Sequence, residues 1–168
     1  MTYFMEQEIF EQIGERIMQA KSVLVLAHHR PDGDTLGSAL ALKIWLDKIG
    51  KKAKVFCKDV PAEVFAFMPQ IGDFVRKVKE NDFDLVLAVD LAGTEMAGYG
   101  HRGCPFFSCG AFVVNIDHHA SNDRFGDLNF VDPNAASTTV IIYRLLKALN
   151  VSIDREMATA LLTGIYTD

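Results

Sequence analysis

Residues 22–34 read SVLVLAHHRPDGD. The first six form a continuous apolar run rich in β-branched side chains, which suits a strand buried on both faces of a parallel sheet. The remaining seven form a loop with Pro31 and Gly33 as turn residues, and they carry two adjacent imidazoles, His28 and His29, and two carboxylates, Asp32 and Asp34. Beyond the loop, residues 35–49 set Leu36, Leu40, Leu42, Ile44, Trp45 and Ile49 on a helical stripe, with Gly50 as a stop. A buried strand, a polar loop and a helix open an α/β unit.

The same alternation continues outward. Phe4, Ile9, Phe10, Ile13 and Ile17 have helical spacing and predict an amphipathic helix over 6–20. Short apolar runs predict strands over 52–57, 84–89 (DLVLAV) and 111–116 (AFVVNI), while 64–67 and 74–78 are ambiguous. Helices are predicted over 137–149, with Ser137 or Thr138 as cap, and over 154–165, with Asp154 as cap and Glu156 in the first turn. No repeat, linker or low-complexity tract interrupts the pattern. The expected fold is α/β, a Rossmann-like, mainly parallel sheet flanked by helices, with right-handed crossovers. Ligands of such sheets sit beyond the C-terminal strand ends. His28, Asp90 and Asp117 each follow directly on a predicted buried strand, so three strand ends bring metal-binding residue types to one edge.

Composition narrows the function classes. The chain has 168 residues and a formal net charge of −5, from 17 basic and 22 acidic residues. That argues against holding long duplex nucleic acid on a broad basic surface, which needs Lys and Arg in number. A small anion held through metal ions remains compatible, because bound cations reverse the local charge. The N-terminus has glutamates where a secretory signal has basic residues. The apolar runs are strand-sized, far short of the roughly 20 residues of a membrane helix. Cys57, Cys104 and Cys109 do not form a disulfide framework, and two thiols without a second pair are little ground for zinc. The cytoplasm is the expected compartment.

Each polar cluster has a plain alternative. Pro31-Asp32-Gly33-Asp34 also fits a turn leading into a helix capped by Asp34. Asp90 also fits a solvated strand end. Asp117-His118-His119 combines the commonest metal-binding side chain with a carboxylate that can set its tautomer. The three clusters weigh more together, because the predicted topology puts them on one edge. Carboxylates and imidazoles in combination suit manganese better than calcium.

These motifs resemble the DHH phosphoesterase superfamily. The resemblance rests on His28, Pro31, Asp32, Asp34, Gly37 and Ser38; on Asp90; on Asp117-His118-His119; and on Thr163, Gly164, Ile165 and Asp168, in that order, and it covers the chain from about Lys21 onward. The stretch 121–138 (SNDRFGDLNFVDPNAAST) is similar to the branch of oligoribonucleases, or nanoRNases, and phosphoadenosine phosphate phosphatases. The resemblance implies two divalent ions, manganese first, with magnesium or cobalt as alternatives. His28, Asp32 and Asp90 would hold one ion. Asp34, Asp90, His118 and Asp168 would hold the other, with Asp90 bridging. His119 would face the substrate phosphate, and Asp117 would orient the histidines. A metal-activated water would then hydrolyse a short oligoribonucleotide or a 3′,5′-bisphosphonucleotide.

The resemblance also has departures. Members of this branch continue past the fourth motif into a second, substrate-gripping domain with a glycine-rich, His-containing motif. Residues 1–168 are therefore expected to be the catalytic domain alone, cut at its last motif. Val140 stands where many relatives have an acidic residue. Other phosphoesterases share the motifs, namely RecJ-type single-strand exonucleases and family II inorganic pyrophosphatases. A nucleotide-binding module without catalysis is the alternative from another class. A homodimer is left open.

Overall fold

The apolar run at residue 22 forms the centre of a sheet. In the computed structural model, which describes residues 3–99 and 103–168, strand β1 (Ser22–Leu26) is buried along its whole length. It pairs with β2 (Lys52–Phe56) on one side and β4 (Leu85–Val89) on the other. Beyond β2 lies the two-residue β3 (Phe74–Val75); beyond β4 lie β5 (Phe112–Asp117) and β6 (Leu128–Val131). The order is β3-β2-β1-β4-β5-β6, and every pairing is parallel. Sheet growth reverses direction between β1 and β4, which makes that junction the topological switch point. The ambiguous segment at 74–78 contains β3, and the one at 64–67 overlaps a single 3₁₀ turn, Glu63–Phe65.

Strand β6 has no counterpart in the sequence-based expectation. Its four residues, LNFV, interleave an asparagine with apolar residues between two turns. It reads as a strand only once β5 offers a pairing edge.

Among the described residues the α-helices are α1 (Tyr3–Gln19), α2 (Gly33–Lys48), α3 (Thr138–Ala148) and α4 (Arg155–Thr167). Their buried residues share one core with Val23, Val25, Val55, Leu87 and Val114. The opposite sheet face, Leu24, Leu26, Phe56 and Val86, is covered by the β4–β5 connection through Ala97, Cys104 and Phe106. A rightward step in the sheet with a right-handed crossover must pass over the face opposite to α2. The helices therefore flank one face, and turns cover the other. Phe4, placed on the α1 stripe by its spacing, is 84% exposed, whereas Phe10, Ile13 and Ile17 are buried.

Helix α2 is capped by Asp32, which accepts from the N–H groups of Asp34 and Thr35. Asp34 is thus not the cap; it lies inside the first turn and is fully buried. The helix is buried almost all round, with only its last two residues outside the interior. An all-round apolar helix needs cover on both sides, and here the sheet lies beneath it and α4 above. That close crossing needs Gly37: a Cβ there would come within 2.4 Å of the Ala160 carbonyl oxygen. Arg144 of α3 pairs with Glu6 of α1 and with Asp132 after β6, joining three elements.

Gly37→Ala should therefore destabilise the domain by about 1–3 kcal/mol, the usual cost of overpacking. Thermal unfolding followed by circular dichroism checks this, and an unchanged midpoint would contradict the close α2–α4 contact.

Candidate metal centre

The C-terminal ends of β1, β4 and β5 and the start of α2 converge at the switch point. Ala27 still pairs with the Phe56 carbonyl, so His28 is the first residue to leave the sheet. Its Nδ1 lies 2.6 Å from the His29 carbonyl oxygen. A carbonyl accepts only, so Nδ1 carries the proton and Nε2 presents a lone pair. That Nε2 is 3.5 Å from Asp90 Oδ2 and 3.8 Å from Asp32 Oδ1.

Asp90 follows β4 directly. Its φ is +62°, a left-handed conformation uncommon for a non-glycine residue. The amide still pairs with the Ile116 carbonyl, so the chain turns sharply without losing its hold on β5. The carboxylate is 1% exposed, and Thr138 Oγ1 donates to Oδ1 at 2.9 Å. Strain at a buried polar residue is a mark of functional sites.

His118 faces both Asp90 and the helix ends. Its Nδ1 lies 3.3 Å from the Ala135 carbonyl oxygen, which again leaves Nε2 as the lone-pair atom. This Nε2 is buried and has no hydrogen-bond partner. Around it stand Asp34 Oδ2 at 3.8 Å, Asp168 Oδ2 at 3.8 Å and Asp90 Oδ1 at 3.9 Å. A buried nitrogen lone pair facing three carboxylates is repelled by them unless a cation lies between. The donor set fits a divalent ion: mixed N and O ligands, hard enough for manganese or magnesium.

The same atoms form overlapping groups whose ligand atoms all lie within 4.8 Å of one another: His28, Asp32 and Asp90; Asp34, His118 and Asp168; Asp90, His118 and His119. Asp90 and His118 each belong to two groups. All the residues expected to bind metal are thereby brought together.

Asp117 stands behind His119, the member of the third group whose Nδ1 is 3.8 Å from Asp90 Oδ1. Asp117 is fully buried; its Oδ1 accepts from His119 Nδ1 at 2.8 Å and its Oδ2 accepts from Asn122 Nδ2 at 2.6 Å. Asp117 therefore orients only His119. The expectation that it holds both histidines is corrected: the two rings lie edge to face at 4.5 Å, but His118 donates its Nδ1–H to the Ala135 carbonyl instead. With its Nδ1–H committed to Asp117, His119 has Nε2 left for a ligand, on a side chain 40% exposed.

Several supporting groups were missed from sequence. Asp34 accepts from the N–H groups of Thr138 and Thr139, at 2.7 and 2.8 Å. Asn122 holds both Asp117 and the Leu91 carbonyl. Gly164 keeps α4 close, since a Cβ there would lie 2.5 Å from Thr139 Oγ1 and 2.8 Å from Asp34 Oδ1. The Ser137-Thr138-Thr139 run was the available signal, but it read only as a helix cap. Cys57, Cys104 and Cys109 are free thiols, and burial pushes the Cys57 and Cys104 thiols up to about 11.

Charge follows geometry. Burial, reinforced by the negative charge of Asp90, pushes the Asp34 carboxyl up to about 6. Burial alone would raise Asp90 as well, but the hydrogen bond and charge of His28 and the Thr138 hydroxyl hold it below the ordinary carboxylate value. Burial acts to lower His28, yet its bond to Asp90 outweighs this and the imidazole ends raised. His119 is raised likewise, burial being outweighed by Asp117.

A six-stranded parallel α/β domain with a carboxylate–imidazole centre at its switch point defines the class of this protein. The chain belongs to the DHH family: residues 22–165 match the DHH family, N-terminal domain. It is 35% identical over 148 residues to the bifunctional oligoribonuclease and PAP phosphatase NrnA of Thermus thermophilus, a match covering 87% of this chain and 43% of that protein. An exopolyphosphatase-related protein from Bacteroides fragilis shares the fold with a TM-score of 0.88 at 21% identity, over 95% of this chain and 49% of that one. The exonuclease RecJ bound to manganese superposes with a TM-score of 0.53 at 18% identity, over 93% of this chain and 41% of that one. The chain spans 43%, 49% and 46% of three curated NrnA relatives, about half their length.

In metal-free protein, Asp34, His28 and His119 all bind protons more tightly folded than unfolded. Their stabilising contribution is complete below the unfolded values and is lost as pH rises through the raised folded values, about 6 for Asp34. Metal binding displaces the protons of the two candidate ligands among these, Asp34 and His28, and each displaced proton changes the apparent affinity about tenfold per pH unit below its folded value. The melting-temperature gain on adding manganese to EDTA-treated protein should therefore grow from pH 5 to pH 8. A gain independent of pH would contradict this assignment.

Proposed function

We propose that this protein is a two-metal, manganese-dependent phosphoesterase that hydrolyses short oligoribonucleotides or 3′,5′-bisphosphonucleotides. The observation that carries the proposal is the buried, unpartnered Nε2 of His118, surrounded by Asp34, Asp90 and Asp168. Such an arrangement suits a centre that a cation completes. The family membership and the NrnA relative support the reaction class and the substrate class.

In this reading, His28, Asp32 and Asp90 hold one ion, and Asp34, Asp90, His118 and Asp168 hold the second. The ions, when bound, would lower the pKa of a shared water and neutralise charge developing on the phosphoryl oxygens. The chain's own groups do the rest. Asp90 offers Oδ2 towards the His28 side and Oδ1 towards the His118 side, so this one carboxylate would contribute to holding both ions. His119, with Nδ1–H held by Asp117 and its imidazole favoured in the charged form, can donate Nε2–H to a phosphoryl oxygen. Asp117 accepts that Nδ1 proton and is itself fixed by Asn122. The net charge of −5 favours a short, small anion over a long nucleic acid. The free, buried thiols of Cys57 and Cys104 fit work in the reducing cytoplasm.

Two experiments test this. Asp90→Asn in the intact protein should lower manganese-dependent turnover by at least about 10³-fold, because one change reaches both ions; turnover like that of the parent protein would refute the two-metal reading. Parallel assays on a dinucleotide, bisphosphoadenosine, pyrophosphate and long single-stranded DNA should show hydrolysis of the first two. Preference for pyrophosphate or long DNA would reassign the substrate.

A further inference from the structure

The segment 135–138 makes contact with three candidate ligands that come from three separate elements. The Ala135 carbonyl receives the His118 Nδ1 proton from the end of β5. The Thr138 N–H donates to Asp34 Oδ2 in α2. The Thr138 hydroxyl donates to Asp90 Oδ1 after β4. Thr138 is fully buried, so water does not compete for either donor.

Helix capping does not account for this hydroxyl. Ser137 is the N-cap of α3 and accepts from the Val140 N–H at 3.3 Å. The next two orphan amides of the helix, those of Thr138 and Thr139, are taken by the two oxygens of Asp34. The Thr138 Oγ1 is therefore free to hold Asp90. It bonds only to Oδ1, the oxygen 3.9 Å from His118 Nε2, and leaves Oδ2 directed to His28 Nε2 at 3.5 Å. One residue thus bonds both carboxylates, Asp34 through its backbone N–H and Asp90 through its hydroxyl.

We propose that Thr138 is the positioning residue of the centre, turning Asp90 so that its two oxygens serve two different ions. This inference rests on the two-metal reading above. The backbone N–H of Thr138 persists in any non-proline variant, so substitution isolates the hydroxyl.

The test uses intact protein, stripped with EDTA and titrated with manganese, in the parent form, Thr138→Val and Thr138→Ser. Valine keeps the shape and removes the donor; serine restores the donor. Thr138→Val should bind manganese about 10–100-fold more weakly, the usual effect of losing a group that orients a metal ligand. It should also show a changed exchange coupling in the dimanganese electron paramagnetic resonance signal, because the Asp90 carboxylate would be one of the bridges that carry that coupling. Thr138→Ser should recover both. A role limited to folding would lower the melting temperature and leave affinity and coupling unchanged, and that result would overturn the proposal. Should Thr138→Val not fold, Thr138→Ala removes the same donor and is judged by the same two measurements. Parent protein that binds manganese tightly with an unaltered valine variant refutes the positioning role alone. Parent protein that binds none refutes the two-metal reading beneath it.

Discussion

Asp34 and Asp90 are almost completely buried carboxylates facing the same imidazole nitrogen of His118. Burial of like charge at such range is unfavourable in a medium of low dielectric, and the chain offsets only part of it. Asp34 receives two backbone amides, and Asp90 receives the Thr138 hydroxyl on Oδ1 while His28 Nε2 stands 3.5 Å from Oδ2. No Lys or Arg is paired with either carboxylate among the described residues. The proton affinity of Asp34 rises in consequence, and His118 Nε2 stays without a partner. Much of the surrounding architecture serves to hold this unfavourable arrangement in place.

That support begins with topology. Because sheet growth reverses between β1 and β4, the loops after them diverge and leave a crevice. His28 and Asp90 stand on opposite sides of it, and β5 adds Asp117, His118 and His119 from the next strand. The left-handed turn at Asp90 brings its carboxylate back over the strand ends, at a local backbone cost that the Ile116 carbonyl bond helps to offset. Helices α3 and α4 then close the centre from the face that carries all four helices. Gly37 and Gly164 let them approach, and a methyl group at either position would strike the neighbouring element.

The two histidines of the triplet have separate environments despite being adjacent. His118 is fixed by a neutral carbonyl, which leaves its outer nitrogen a good ligand. His119 is fixed by the buried Asp117 carboxylate, which favours its charged form. The same side chain can thus present a lone pair at one position and a proton at the next, according to the acceptor behind it.

The sequence alone determined the strand–loop–helix pattern and the edge that carries the chemistry. Runs such as SVLVLA and DLVLAV, short, rich in β-branched or aliphatic residues and alternating with helical stripes, suit strands buried on both faces, and their polar successors then emerge at one end of a parallel sheet. His28, Asp32, Asp34, Asp90 and the Asp117-His118-His119 triplet were placed at that edge for this reason, whereas Asp168, at the end of α4, was singled out only by the family resemblance. Tertiary structure decided what local pattern does not encode. Asp32 rather than Asp34 caps α2, because Asp34 finds stronger partners in the amides of α3, more than 100 residues away in sequence. Strand β6 exists because β5 has a free edge, and Thr138 reaches Asp90 because α3 packs over the switch point. Contacts between distant segments depend on how elements pack, and periodicity carries no record of that.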